Sequence, residues 1–249
     1  MSSSAKRIVI VGASSGLGRL AAESFARMGW KVGAAARNLA ELEKLKSQFP
    51  DNIEITRIDV TDAKAAESLH ALIDKVGGMD VYFHVSGICI ENPSLDIDSE
   101  VRTAETNVVG FTRMIDAAFR YFRDNSLRGH IAALTSVAGT KGIADLAAYS
   151  AGKRYQWNYI EALEQLARRE KADISFTDIR PGWTKTPLID SSRTYLMAMK
   201  PEKVAKKIVS AVVKKKRVAV IDLRWALMYG LWRLLPSRLW TRIPLHSSK

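Results

Sequence analysis

Tyr149 and Lys153 stand four residues apart in the stretch from Ser136 to Lys153. In a helix that spacing puts both side chains on one face. A Tyr beside a Lys is an acid/base pair. A free phenol ionises near ~10, too high for easy proton exchange at neutral pH, and a nearby ammonium lowers that value. Ser136 follows an apolar, strand-like run from Gly129 to Thr135 and is placed to hold a substrate oxygen beside the Tyr. Alone, Y-x-x-x-K is also the pattern of an exposed Lys beside a half-buried Tyr. The elements that position the pair must decide between the two.

Those elements alternate. Arg7 to Val11 is a continuous β-branched run, as expected of a strand buried on both faces. Gly12-Ala13-Ser14-Ser15-Gly16-Leu17-Gly18 follows at once, then a helical pattern from Arg19 to Met28. Strand, glycine-rich turn and helix form the context of a dinucleotide phosphate site. Gly12 permits the tight turn, Gly16 lets backbone approach a pyrophosphate, and Gly18 allows close helix packing. The spacing is G-x-x-x-G-x-G instead of the commoner G-x-G-x-x-G.

The second strand, Lys31 to Ala36, ends in Arg37-Asn38 with no acid at its tip. An acid there would bond a free ribose 2′-hydroxyl, whereas an Arg pairs with a 2′-phosphate. Arg37 therefore favours NADP(H) over NAD(H). Asn38 caps a helix to about Gln48, Ile53–Ile58 is a third strand, and Thr61 or Asp62 caps the next helix. Val81–Val85 is a fourth strand ending at Ser86-Gly87, where a glycine lets backbone lie against a flat ligand. A long helix spans roughly Ser99 to Asn125 and carries Asn107, readable as a core amide or as the holder of a water. The strand Asp173–Ile179 runs into Pro181-Gly182, where the chain bends sharply. Thr184 and Thr186 follow, with hydroxyls and amides for a carboxamide or phosphate. Leu188 to Met199 has no strong period and reads as a lid. A helix from Pro201 to Lys214 and a strand Val218–Ile221 complete the pattern. The order predicts one α/β domain: a Rossmann-like, doubly wound parallel sheet of about seven strands, with helices on both faces and the ligand at the strands' carboxyl ends.

The chain has 249 residues, 47% of them hydrophobic, which suffices for one core of this class. Its single Cys, Cys89, rules out an internal disulfide and suits a reducing compartment. The start runs straight into a strand without a secretory pattern, so a cytoplasmic setting is expected. His70, His84, His130 and His246 are scattered and form no metal-ligand pattern. Cys89 reads as a buried thiol or as a lining of the substrate side.

Assembled, these residues resemble the classical short-chain dehydrogenase/reductase family over roughly residues 6 to 223. Gly12, Gly16 and Gly18 match its cofactor turn, Asp59-Val60 its adenine-contacting pair, and Pro181-Gly182 with Thr184 and Thr186 its nicotinamide-side segment. His84-Val85-Ser86-Gly87 stands where the family has Asn-Asn-Ala-Gly, and only the Gly matches fully. Asn107, Ser136, Tyr149 and Lys153 match the catalytic tetrad. The resemblance implies a metal-free NADP(H)-dependent oxidoreductase interconverting a ketone and a secondary alcohol. Tyr149 is then the acid/base, Ser136 bonds the substrate oxygen, Lys153 lowers the Tyr pKa and holds the ribose, and Asn107 supports a relay water. Cofactor contacts are expected from Gly12, Ser14, Ser15, Gly16, Leu17, Gly18, Arg37, Asp59, Val60, Ser86, Gly87, Asn107, Tyr149, Lys153, Pro181, Gly182, Trp183, Thr184 and Thr186. The family is often dimeric or tetrameric through the helices carrying Asn107 and Tyr149. The alternative is a non-catalytic NADP(H)-binding regulatory protein of the same fold.

The net charge of +12 is uneven. From Arg193 to Lys249 there are 14 Lys/Arg and two acids, which leaves 24 of each sign before them. An anionic partner or a solvated basic face accounts for such an excess. Residues 224–249 form a basic extension beyond a 1–223 catalytic domain, and three of the six Trp lie in it. Its apolar stretch before Arg233 is shorter than the ~20 residues that span a bilayer. Leucines and aromatics beside Arg224, Arg233, Arg238 and Arg242 suit peripheral contact through 224–245 at the inner membrane face. The same segment reads equally as an arm over a substrate pocket or a subunit interface. Nucleic acid is disfavoured, because the aromatics form a block and do not alternate with the basic residues. The tail looks like that of lipid-directed family members, which implies a hydrophobic carbonyl or alcohol substrate.

Overall fold

The computed structural model of the protein describes residues 5–189, 195 and 197–243. Seven strands form one parallel sheet: β1 (Arg7–Val11), β2 (Lys31–Ala36), β3 (Ile53–Arg57), β4 (Val81–His84), β5 (Gly129–Leu134), β6 (Ile174–Pro181) and β7 (Val218–Ile221), in the order β3-β2-β1-β4-β5-β6-β7. Ile8, Val9 and Ile10 of β1 are fully buried, as a β-branched run covered on both faces must be. The chain winds outward from β1 through β2 to β3, then returns to the other side of β1 as β4. That reversal opens a crevice at the carboxyl ends of β1 and β4.

The helices are α1 (Gly16–Arg27), α2 (Leu39–Gln48), α3 (Ala65–Val76), α4 (Ile97–Ala104), α5 (Phe111–Asp124), α6 (Ala147–Glu170), α7 (Pro201–Val213), α8 (Leu223–Leu234) and α9 (Ser237–Trp240). Helices α1, α2, α7 and α8 share one apolar core, and α3, α5 and α6 share the other, on opposite faces of the sheet. Helix α1 buries Leu17, Ala21 and Phe25 at helical spacing, and α5 buries Phe111, Met114, Ile115, Phe119 and Phe122.

Three local expectations change. Helix α1 begins at Gly16, so Gly16 and Gly18 lie in its first turn, ahead of the expected Arg19 start. Neither Thr61 nor Asp62 is the cap of α3: Asp62 accepts from the Lys64 N–H at 2.9 Å, and the helix begins at Ala65. The long helix around Asn107 is not uniform, because a π turn over Glu105–Gly110 separates α4 from α5. Gly110 packs against Val60 there, where a Cβ would sit 2.7 Å from the Val60 side chain. Such turns often mark functional positions.

The tail folds back onto the body. Trp225 and Trp240 are buried, and the Trp232 ring meets both edge-on, at 6.3 and 5.4 Å between centroids. The Trp240 indole donates to the Gly142 carbonyl at 2.6 Å, and Lys141 donates to the Leu235 carbonyl at 2.7 Å. The Arg180 guanidinium donates to Asp178 (2.7 Å) and to the Tyr229 hydroxyl (2.6 Å) while stacking 3.7 Å over the Trp157 ring. No helix among the described residues is long and apolar enough to cross a membrane.

Candidate active site

Two recesses meet at the carboxyl ends of β1 and β4. The first is a groove of about 330 Å³. Gly12, Ser14, Ser15, Gly16, Leu17 and Gly18 form one side, and Arg37, Asp59, Val60, Ser86 and Gly87 form the far end and floor. Its shape depends on missing side chains. Gly12 has φ +102°, and a Cβ there would lie 2.5 Å from the Ser86 nitrogen. A Cβ on Gly18 would strike the Gly12 carbonyl, which fixes α1 against the turn. Both the Val85 and Ser86 N–H groups donate to the Val11 carbonyl at 2.8 Å, which ties β4 to this turn.

Arg37 is exposed at the groove's far end. Asp59 faces it. Burial pushes the Asp59 carboxyl up, but bonds from the Thr61 N–H and hydroxyl, with the charges of Arg37 and Arg57, bring it below the usual range. Arg57, which sequence reading passed over, thus adds a second positive charge near this end.

The second recess is a cavity lined by Ser136, Tyr149, Lys153, Pro181, Gly182, Trp183, Thr184 and Thr186. It shares Leu17, Val85, Gly87, Leu134, Thr186 and Leu188 with the groove, so the two form one continuous site. Strand β5 delivers Ser136, whose hydroxyl accepts from the Ala138 N–H at 3.1 Å and faces the Pro181 carbonyl at 3.4 Å. Helix α6 delivers Tyr149 and Lys153 on one face, with Nζ 5.6 Å from the phenol ring centre. Burial pushes the Tyr149 phenol up, and the Ser136 hydroxyl opposes it. Burial pushes Lys153 down to about 8, against the pull of the Asp178 carboxylate. Cys89 lines the same cavity, its thiol pushed up to about 12 chiefly by burial, which keeps it protonated and unreactive.

Asn107 is fully buried in the π turn behind Gly87. Its amide bonds the Ile88 backbone twice, accepting from the N–H at 2.9 Å and donating to the carbonyl at 2.7 Å. A Cβ on Gly87 would come within 3.1 Å of the Asn107 side-chain oxygen. A side chain at Gly87 would thus crowd the Asn107 amide, although His84 and Val85 depart from the family pattern. His84 is buried, with Nδ1 2.9 Å from the Tyr82 hydroxyl and Nε2 unpartnered, and burial pushes it down to about 3.

Sequence reading left the tail open between membrane, subunit interface and an arm over a substrate pocket, and it missed Gln156. Trp225 and Trp232 of α8 wall the cavity, and a Cβ on Gly182 would collide with the Trp225 indole. Gln156 bonds both Lys153 and Asn107. A buried amide three residues beyond the Lys, on the same helical face, was the available signal. The expected lid is described in part: Leu188 and Ile189 line the cavity, and Tyr195 lies 4.6 Å from Trp183, ring to ring. Residues 190–194 and 196 of that segment, and 244–249 of the tail, lie outside the described residues.

The short chain dehydrogenase family model matches residues 6–196. An uncharacterized oxidoreductase of Mycobacterium tuberculosis is 31% identical over 249 residues, covering 95% of this chain and 96% of its own. Another from Myxococcus xanthus is 34% identical over 72% of each chain. The farnesol dehydrogenase of Aedes aegypti is 27% identical over 75% of this chain and 80% of its own. Among solved structures, a short-chain dehydrogenase from Streptomyces avermitilis superposes with a TM-score of 0.79 at 24% identity, over 92% of each chain. The structure of ElxO with NADP bound gives 0.77 at 21% identity, over 90% of this chain and 99% of that one. Together the family match over most of the chain and relatives above 30% identity establish that this protein belongs to the short chain dehydrogenase family and is an NAD(P)-dependent oxidoreductase.

Proposed function

We propose that the protein interconverts a ketone and a secondary alcohol on a hydrophobic substrate, using NADP(H), with Tyr149 as the proton donor and acceptor. The observation that carries this reading is the joining of the two recesses: Ser136, Tyr149 and Lys153 face a cavity continuous with a groove kept open by Gly12 and Gly18. The groove fits a dinucleotide. The amino-terminal end of α1 opens onto it, as a pyrophosphate requires, and Arg37 at the groove's far end is the cation that would pair with a 2′-phosphate. That ElxO was solved with NADP bound on the same fold supports this choice. When bound, the nicotinamide supplies or accepts hydride at the carbonyl carbon.

This chain's residues then handle the proton. Tyr149 gives its proton to the oxygen as negative charge builds there, and takes it back in the reverse direction. Ser136 donates a hydrogen bond to the same oxygen. The Lys153 ammonium, 5.6 Å from the phenol ring centre, is the charge that would favour the Tyr149 anion against the upward push of burial. The Asp59, Val60, Ser86, Pro181, Trp183, Thr184 and Thr186 contacts complete the cofactor's surroundings. The apolar wall of Trp183, Trp225 and Trp232 selects an apolar substrate.

The test is loss of NADPH absorbance on adding long-chain ketones, with 2-decanone and geranylacetone as probes. Turnover is expected, and Tyr149→Phe should lower it by about 10²–10⁴-fold, the usual yield of general acid/base catalysis. NADPH binding with no turnover across a broad ketone and alcohol panel would favour the non-catalytic alternative.

The outer face of α8 supports peripheral membrane contact. The inner face carries Trp225 and Trp232, while Leu223 (74% exposed), Leu227, Leu231 and Leu234 (82%) line the outer one. A helix apolar on all sides is ordinarily buried on all sides. Arg224 and Arg233 lie on the same helix and Arg238 and Arg242 follow it in the chain, so an anionic lipid surface is the partner this face suits. Vesicles rich in phosphatidylserine should retain the full chain and release Leu227→Ser/Leu231→Ser; equal retention of both would sink the assignment.

A further inference from the structure

Gln156 is 0% exposed, and both ends of its amide are engaged. Its Oε1 accepts from Lys153 Nζ at 3.1 Å, and its Nε2 donates to the Asn107 carbonyl at 2.9 Å. Lys153 also donates to the Leu134 carbonyl at 3.1 Å. An ammonium has three N–H groups. Two are spent on the carboxyl end of β5 and on Gln156. The third is left for the cavity side, where a Cβ on Gly87 would stand 3.7 Å from Nζ. The relay water expected between Lys153 and Asn107 thus meets a side chain already in that link. The π turn at Glu105–Gly110 and the position of Gln156 three residues past Lys153 on α6 bring the three groups together.

We propose that Gln156 is a positioning residue for Lys153. Its amide bridges the ammonium to the Asn107 carbonyl, aims the remaining N–H at the cavity and stabilises the charged form that Tyr149 needs. An amide accepts at oxygen and donates at nitrogen but does not hand a proton through, so this link holds Lys153 without relaying. The inference rests on the Tyr149–Lys153 chemistry proposed above, and its first readout requires no turnover.

The groups facing Lys153 are known from every side. Tyr149 shares its helix, His84 lies on β4, Cys89 lies on the loop after β4, and Asp178 lies on β6, paired with Arg180. Removing the Gln156 oxygen takes away an acceptor that favours the ammonium, so the Lys153 midpoint falls from its value near 8. A carboxylate in its place raises that midpoint.

The experiment is a pH titration by NMR of the full-length protein labelled with ¹³Cε-lysine, with the Lys153 signal identified by its loss in Lys153→Met. Gln156→Met should lower the midpoint by about one unit, tenfold in acidity, and Gln156→Glu should raise it by at least as much. Unchanged midpoints in the folded variants would overturn the proposal and leave Gln156 a core amide. Should Gln156→Met not fold, the Gln156→Glu shift decides alone. In turnover assays with 2-decanol and NADP⁺, the pH profile of kcat should move with the Lys153 midpoint, while KM for NADP⁺ changes less than kcat. Loss of kcat with an unmoved profile would also overturn it. Absence of turnover in the unaltered protein would instead count against the proposed function, with the NMR midpoints still deciding the role of Gln156.

Discussion

The two recesses of the site are built from opposite materials. The groove is shaped by backbone and by absent side chains: Gly12, Gly16 and Gly18 lie within seven residues of one turn. The cavity is shaped by side chains gathered from Ser136 just after β5, Tyr149 on α6, Trp183 after β6, and Trp225 and Trp232 on α8. A backbone site presents the same amides to any dinucleotide and tolerates no added Cβ. A side-chain site changes with each residue that lines it, so it is where substrate choice is set. The tail that completes the cavity is anchored by the Trp225–Trp232–Trp240 cluster, the Arg180–Tyr229 bond and the bonds from Lys141 and Trp240.

The contrast can be broken in stages. Trp225→Ala should have the largest effect on the fold, about 3–5 kcal/mol of unfolding free energy as for other buried aromatics, read by thermal and urea denaturation. Among molecules still folded, NADPH affinity should stay close to that of the parent, because the groove does not include Trp225. A parallel collapse of NADPH binding would show that the two recesses are not separable. Gly18→Ala should act in the opposite sense. Fitting the methyl against the Gly12 carbonyl should cost roughly 1–3 kcal/mol as overpacking does, with NADPH binding impaired while the tryptophan cluster keeps its fluorescence. The smallest and most selective effect is expected from Arg37→Ala. Loss of a charged hydrogen bond worth about 1.5–3 kcal/mol should weaken NADPH by roughly 10–100-fold and leave NADH almost unchanged. Equal weakening of both would mean that Arg37 misses the 2′-phosphate and that Arg57 is the better candidate.

Local features were legible early because their physics is local. A β-branched run followed by G-x-x-x-G-x-G and a helix period fixes strand, turn and helix within a few residues, and β2 and β7 span the residues expected of them. The π turn was hidden. A polar Asn within an apolar period looks the same in either helix type, and the packing of Gly110 on Val60 lies across the fold. Gln156 was hidden for a similar reason: its partner Asn107 is 49 residues away, so only tertiary packing shows what its amide does.

By itself the sequence determined the doubly wound sheet, the glycine turn, the face shared by Tyr149 and Lys153, and the basic, apolar character of the tail. Each follows from residue type and short-range spacing, because backbone conformation and helical periodicity are decided within about one turn or strand. The tertiary structure decided where the tail goes. With apolar residues on all its faces, α8 carries no internal mark of which side is covered. Docking against Gly182 turned Trp225 and Trp232 to the cavity and left Leu223, Leu227, Leu231 and Leu234 outside.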